Sequence, residues 1–449
     1  MKLSDAQRRT LAVVWVTYGT FYFCRVNVGP ARASIQGALG VGALEMGLVL
    51  GALKLGYALG QFVSGQLTER LGPKRVVLTG MVGSGIACLL FAASPEIASL
   101  RGVAAVTAPL ARGLSAITGS TIGPMAALLV VLWMFNGFMQ AGGWPPCVEV
   151  MARWFSPAQR GRTMGILGTS YQLGSALTIF GCGWLVSRPG ASWRIVFLVP
   201  AAALFLSAIH TARRLVPAPT STSTSTSTST ATATATATVE RRGAFLLTVS
   251  NGRLWLLALG LFGLDLVRFG FLDWAPTHLK EVHGSSVATA ALQAAVLPLA
   301  GALGALTSGW LTDRFFQSRR APVIAMLLLV VGAFTIAYDY VAAWGALPTV
   351  VCLAVIGFGV FGAQVLLVGT AAQDFAKGGA AAAAAGFVDF TGSMGAFAGD
   401  VVTGSMVKRG DWRGAIHVWA AAAIVAALLV SMLWRAKAEG ASTPSAARS

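Results

Sequence analysis

Twelve stretches of about 17–25 mostly apolar residues recur along this chain, at 11–28, 44–67, 76–93, 125–147, 163–186, 193–210, 253–272, 287–311, 321–340, 348–371, 384–406 and 414–434. A stretch of that length is what a helix needs to cross ~30 Å of hydrocarbon. No water satisfies the backbone there, so a spanning segment closes its hydrogen bonds within itself and is helical. The expected fold is an all-α membrane protein with twelve transmembrane helices. Composition agrees: 55% of residues are hydrophobic and 11% charged, with mean hydropathy +0.71, whereas a soluble domain carries roughly a quarter charged residues. A soluble enzyme is excluded. Region 94–124 is mildly apolar but interrupted by Arg101, Pro109 and Arg112, and is expected to be a long external loop.

The net charge of +17 invites a nucleic-acid reading, so its placement decides. With the N-terminus inside, 21 of the 33 Lys and Arg fall on cytoplasmic segments. Nine fall on the opposite face, Arg32 among them, and three lie inside spans. That asymmetry puts both termini in the cytoplasm. The basic excess therefore reports topology and an anionic lipid surface, not nucleic acid. The expected location is a bacterial inner (cytoplasmic) membrane, crossed many times. Residues 11–28 lack a small-residue cleavage site and read as a first span, not a leader. The five cysteines sit in apolar runs without metal or CxxC spacing and are expected to be packing residues. The four histidines lack ligand spacing, so no metal and no cofactor is expected, and no catalytic constellation is present.

The chain also repeats itself. After the second span it reads Gly65-Gln-Leu-Thr-Glu69-Arg70-Leu-Gly72-Pro-Lys74-Arg75, and after the eighth Gly309-Trp-Leu-Thr-Asp313-Arg314-Phe-Phe-Gln-Ser-Arg319-Arg320. From Gly65 to Gly309 the offset is 244 residues, and each copy follows the second helix of a six-helix set. Two pseudo-symmetric six-helix halves follow, at 1–210 and 251–434, with a cytoplasmic linker at 211–250 and a tail at 435–449. Two copies in register favour a gating turn, with Glu69, Arg70, Asp313, Arg314 and Arg160 as latches, over a basic loop that only anchors topology. The Ser-Thr and Ala-Thr tract at 220–238 has no large apolar side chain to bury and is expected to be disordered.

Ionisable groups inside spans are costly and mark function by default. Arg25 lies about fifteen residues into the first span, and Arg268 about as far into the seventh. They are separated by 243 residues, within one of the repeat offset. Two arginines so related face each other near the midplane, and their donor forks suit phosphate or carboxylate. The competing reading is a structural ion pair, or snorkelling to the surface. Tyr18, Tyr22 and Asn27 surround Arg25 in sequence, and Tyr171 and Gln172 stand in the fifth span. In the second span Lys54 and Gln61 are seven residues apart, on one helix face; Lys54 either contacts an anion or snorkels. Asp265, three residues before Arg268, and Asp389 and Asp400 in the eleventh span either neutralise these arginines or titrate and couple transport to protons.

Five stretches carry a family resemblance. They are Tyr18-Gly-Thr-Phe-Tyr22-Phe-Cys-Arg25-Val-Asn27; Gly143-Trp-Pro-Pro-Cys147 with Arg153-Trp-Phe-Ser-Pro-Ala-Gln-Arg160-Gly161; Asn251-Gly-Arg-Leu-Trp255; Leu266-Val-Arg268-Phe-Gly-Phe-Leu-Asp273-Trp-Ala-Pro276-Thr-His-Leu-Lys-Glu281-Val; and 357–387. Together they resemble the organophosphate:phosphate antiporters of the major facilitator superfamily, across nearly the whole chain. The resemblance implies that Arg25 and Arg268 bind the substrate phosphate, and that the halves rock to exchange an organic phosphate for inorganic phosphate. The chain departs from the family pattern at Val26, Gln61, Tyr171 and Asp265. Each change lowers the positive charge beside the site, which leaves an anionic or zwitterionic solute. The expected protein is a monomeric secondary transporter, with a small anionic solute and inorganic phosphate as partners. The alternatives are a proton-coupled carrier using Asp265 or Asp400, and a membrane sensor of external sugar phosphate.

Overall fold

The computed structural model of the chain describes residues 3–155, 157–216, 248–316, 319–371, 375 and 381–436. The first half begins with α1 (Asp5–Phe21), whose first turn is closed by Ser4 and Gln7 in a reciprocal capping box. A tight turn at Tyr22–Cys24 follows, and the chain resumes as α2 (Val28–Leu39). Then come α3 (Ala43–Leu71), α4 (Pro73–Ala92), α5 (Ser94–Ala98), α6 (Val103–Thr118), α7 (Pro124–Gln140), α8 (Trp144–Trp154), α9 (Pro157–Val186) and α10 (Ile195–Arg214). The second half contains α11 (Gly252–Glu281), α12 (Val287–Phe315), α13 (Arg320–Val341), α14 (Ala346–Gln364), α15 (Ala381–Lys408) and α16 (Trp412–Ser431). Between α3 and α4 the chain reverses at Gly72, whose φ of 83° favours glycine, and Pro73 starts the next helix at once.

Among the described residues, nine helices are long and apolar enough to cross a membrane. The remaining three expected spans are the broken α1–α2 pair, α9 and α15. The last two have 30 and 28 residues, and carry Tyr171 and Gln172, and Asp389 and Asp400, respectively. The arrangement is consistent with twelve spans. The 211–250 linker and the 435–449 tail fall mostly outside the described residues, and α10 itself runs on to Arg214.

Packing repeats the sequence symmetry. In the first half the second and fourth spans meet at glycine: a Cβ on Gly137 of α7 would strike the Leu53 carbonyl, and one on Gly56 the Met134 carbonyl. In the second half the eighth and tenth meet the same way, Gly304 against Phe358 and Gly357 against Leu297. Small residues let helices approach where lipid offers no hydrophobic drive for association. Between the halves the contacts are again paired by symmetry. Gly47 of α3 lies on Asp400 and Gly404 of α15, while Gly183 of α9 lies on Ala291 of α12.

Two sequence expectations need correction. Region 94–124 is not a long loop, because most of it forms α5 and α6. Its alanine-rich composition favours helix. The arginines that break its hydropathy in a linear scan are exposed, while Thr107 and Ala111 are buried. Arg194 donates to Glu96 of α5 (2.6 Å) and holds that carboxyl below its ordinary range. The first span is not one continuous helix over 11–28 either. Pro30 has no N–H for the Val26 carbonyl four residues earlier, and its ring crowds that carbonyl. The helix ends before that point and restarts at Val28. The five cysteines are free and buried, as packing residues are.

Candidate functional site

The break in the first span is what exposes Arg25. At a break, carbonyls lose their helical partners and, inside a membrane, need others. Asn136 Nδ2 donates to the Cys24 carbonyl (2.8 Å), and Gln140 Nε2 donates to the Phe21 carbonyl (2.9 Å). Ser84 ties the two amides together, donating to Asn136 Oδ1 (2.6 Å) and accepting from Gln140 Nε2 (2.7 Å). Asn27, expected at the site, donates instead to the Val196 carbonyl of α10 (2.8 Å) and braces the break from the other side.

Arg25 is held by this frame. Its Nε donates to Gln140 Oε1 (3.1 Å) and its Nη1 to the Tyr22 hydroxyl (3.1 Å). The guanidinium lies over the rings of Tyr22 and Tyr57, at 4.6 and 4.3 Å. Its Nη2 is buried without a partner among the described residues. From the other half, Arg268 of α11 donates from Nη1 to Asp265 Oδ1 (3.4 Å), one turn back on the same helix. Tyr22 is also among its electrostatic neighbours. The Arg268 Nε is buried without a partner among the described residues. The two arginines therefore both have Tyr22 as a neighbour, and each has an N–H group without a partner among the described residues.

Aromatic rings line the space between them. Tyr171 stacks on Tyr22 with centroids 5.4 Å apart, and Tyr18 packs edge-on to Tyr22 and against Trp144 (4.9 Å). Phe361 of the second half lies 6.2 Å from Tyr171 and 5.0 Å from the Arg268 guanidinium. Four of the chain's six tyrosines gather here. Gln172 bridges the halves by donating to the Gly301 carbonyl (3.4 Å) and leaves its Oε1 unpartnered. Gln61 is half-buried on α3, with its Nε2 unpartnered. Asp389 is half-buried on α15, with Arg25, Arg268, Asp265 and Tyr57 as its electrostatic neighbours.

Lys54 neither snorkels nor stands free. It is paired with Asp273 and with Asp400 Oδ2 (2.7 Å), joining α3 to α11 and α15. Trp274 Nε1 donates to Asp400 Oδ1 (3.1 Å). Arg32, counted in sequence with the external charges, is fully buried beside them. It donates to the Asp273 carbonyl, with its guanidinium 3.4 Å from the Trp274 ring centroid. Along α11 this cluster stands beyond Arg268 in the direction away from the linker, Asp273 following it by five residues, and it joins the two halves there.

Arg70 and Arg314 are exposed in the last turns of α3 and α12. The side chains of Glu69, Arg160 and Asp313 lie outside the described residues. No group of three or more metal-ligating side chains occurs among the described residues. An apolar groove of about 450 Å³ lined by Leu78, Val82, Ile86 and Met139 opens elsewhere, with no charged group on it.

Sequence reasoning missed Tyr57, Asn136, Gln140 and Ser84. Their signal was available, since each is a polar side chain inside an apolar run.

The family model for the Major Facilitator Superfamily matches residues 14–399. The chain belongs to that superfamily. Among relatives of this facilitator, the Glycerol-3-phosphate transporter of Bacillus subtilis (strain 168) is 28% identical over 435 residues, covering 94% of this chain and 90% of the relative. A Probable hexose phosphate transport protein of Chlamydia trachomatis is 25% identical over 447 residues, covering 94% and 90%. The Membrane sensor protein UhpC of Escherichia coli (strain K12) is 25% identical over 438 residues, covering 94% and 91%. These relatives bear out the resemblance to organophosphate:phosphate antiporters. In fold, this facilitator resembles a bacterial homolog of the human lysosomal transporter Spinster in its inward-facing and occupied conformation, with a TM-score of 0.67 and 16% identity over 96% of both chains.

Proposed function

We propose that this facilitator exchanges an organic phosphate ester for inorganic phosphate by alternating access. One observation carries the reading: two buried guanidinium groups, one from each half, both neighbour Tyr22 and, among the described residues, keep N–H donors unused. Buried donors without partners are costly, and a phosphate placed between them satisfies both. Charge-assisted, forked hydrogen bonds are the strongest that side chains offer such an anion. An anion held by one arginine from each half also couples binding to the relative position of the halves.

The Lys54, Arg32, Asp273 and Asp400 cluster keeps the far face shut in this conformation, and it must part for the site to open there. The positive-inside asymmetry supports a cytoplasmic position for both termini, so the closed face is the external one. The protein acts as a monomer in the bacterial inner membrane. Asp265 and Asp400 each hold a cation, which supports structural neutralisation over proton coupling. The test is uptake of radiolabelled organophosphates into phosphate-loaded proteoliposomes. Exchange that requires phosphate inside supports the reading. Uptake driven by a pH gradient and indifferent to internal phosphate replaces it with a proton-coupled carrier, and tight binding without flux replaces it with a sensor.

A further inference from the structure

Four ionisable groups meet at the candidate site, and only three have partners. Arg25 is held by Gln140 and Tyr22, and Arg268 pairs with Asp265. Among the described residues, the carboxylate of Asp389 has no hydrogen-bond or ion-pair partner, although both arginines are its electrostatic neighbours. Its position is set by backbone packing. A Cβ on Gly392 would lie 2.7 Å from Asp265 Oδ2. Residues three apart on a helix share a face, so Asp389, one turn before Gly392, presents its carboxylate on the face of α15 that meets Asp265. The half-buried ring of Tyr57 lies near it, and beneath the Arg25 guanidinium.

Two arginines and two aspartates leave this space with no net charge. A phosphate monoester dianion bound to the arginines would confront an unpaired carboxylate, which opposes binding, because like charges in a weakly screened interior repel strongly. A solute that also carries a cation reverses that effect. Resting on the proposed phosphate exchange, we propose that the organic substrate is a phosphate ester bearing an ammonium group. Its phosphate sits between Arg25 and Arg268, and its ammonium on Asp389 beside Tyr57. The unused N–H groups of Arg25 and Arg268 supply the donors, Asp389 supplies the acceptor, and the Tyr57 ring offers a π-face to the cation. The same geometry explains why a carboxylate is tolerated among phosphate ligands at all: it selects.

The test uses the full-length protein in phosphate-loaded vesicles. Unlabelled phosphoethanolamine should compete with labelled glycerol-3-phosphate for the wild-type protein, and be the preferred solute of the two by about tenfold or more. In Asp389→Asn the preference should reverse, the amine ester losing about 10- to 100-fold in apparent affinity relative to glycerol-3-phosphate. The ratio is read within one preparation, so expression and insertion cancel. Wild-type preference for glycerol-3-phosphate overturns the proposal without any variant, and so does an unchanged ratio in Asp389→Asn. Absence of phosphate self-exchange in the wild-type protein is a separate failure, that of the antiporter reading itself.

Discussion

Replacing Lys54 by methionine removes the one ammonium that holds Asp273 and Asp400 together. The Lys54–Asp400 contact is 2.7 Å, which at an effective dielectric of 20 corresponds to a gross attraction of about 6 kcal/mol. Desolvation cancels much of that. Breaking a buried pair by removing one partner nevertheless destabilises by about 3–5 kcal/mol, because the other charges stay buried and uncompensated. Trp274 still donates to Asp400, and the Arg32 cation remains an electrostatic neighbour of Asp273 and Asp400, so the lower figure applies. The loss falls on the closed far face alone, since water solvates the carboxylates once the halves part. About 3 kcal/mol lowers the ratio of closed to open far faces by roughly two orders of magnitude. Spin labels at Ser120 and Lys408, which meet across the halves at 3.0 Å, report the opening directly. The five native cysteines are buried and should not compete for label. Lys54→Met should move the distance distribution to longer values, and Lys54→Met/Asp400→Asn should return part of it. An unaltered distribution in Lys54→Met refutes the assignment of this cluster as the far-face closure.

Arg268→Lys should abolish phosphate exchange while leaving insertion intact, since an ammonium cannot reproduce a planar fork; unchanged flux removes Arg268 from the site. Gln140→Ala leaves the Phe21 carbonyl and Arg25 Nε unpartnered, and should lower thermal stability by about 1–3 kcal/mol and weaken phosphate binding; full affinity in a stable variant argues against the frame. Gly137→Ala drives a methyl group into the Leu53 carbonyl and should destabilise the detergent-solubilised protein by about 1–3 kcal/mol, with a melting curve as the readout.

The apolar runs and the Gly65/Gly309 repeat were enough to read a membrane protein of two similar halves. The matched spacing of Arg25 and Arg268 was enough to single them out. Other features were harder to read for identifiable reasons. Pro30 signalled a break, but hydropathy averaged over a window hides a single missing donor. Helix α6 reads as loop because Arg101, Pro109 and Arg112 interrupt the apolar run, yet Arg101 precedes the helix, Pro109 is accommodated within it, and Arg112 faces away from its buried residues. Gln140 and Asn136 were legible as polar residues in a span, but not as partners of carbonyls more than a hundred positions away.

What the chain determined by itself is whatever adds up locally. Transfer into hydrocarbon is a sum over neighbouring residues, and a repeat is a comparison of one segment with another. Pairing is different in kind. Whether Lys54 meets phosphate, lipid or the aspartates 219 and more residues away depends on how closely α3 settles against α15, and the glycines at 47 and 404 decide that by letting two backbones touch. Only the packed structure assigns the buried charges their partners and shows that, among the described residues, Asp389 is left without one, because the Coulomb energy of a charge depends on separation in space and not along the chain.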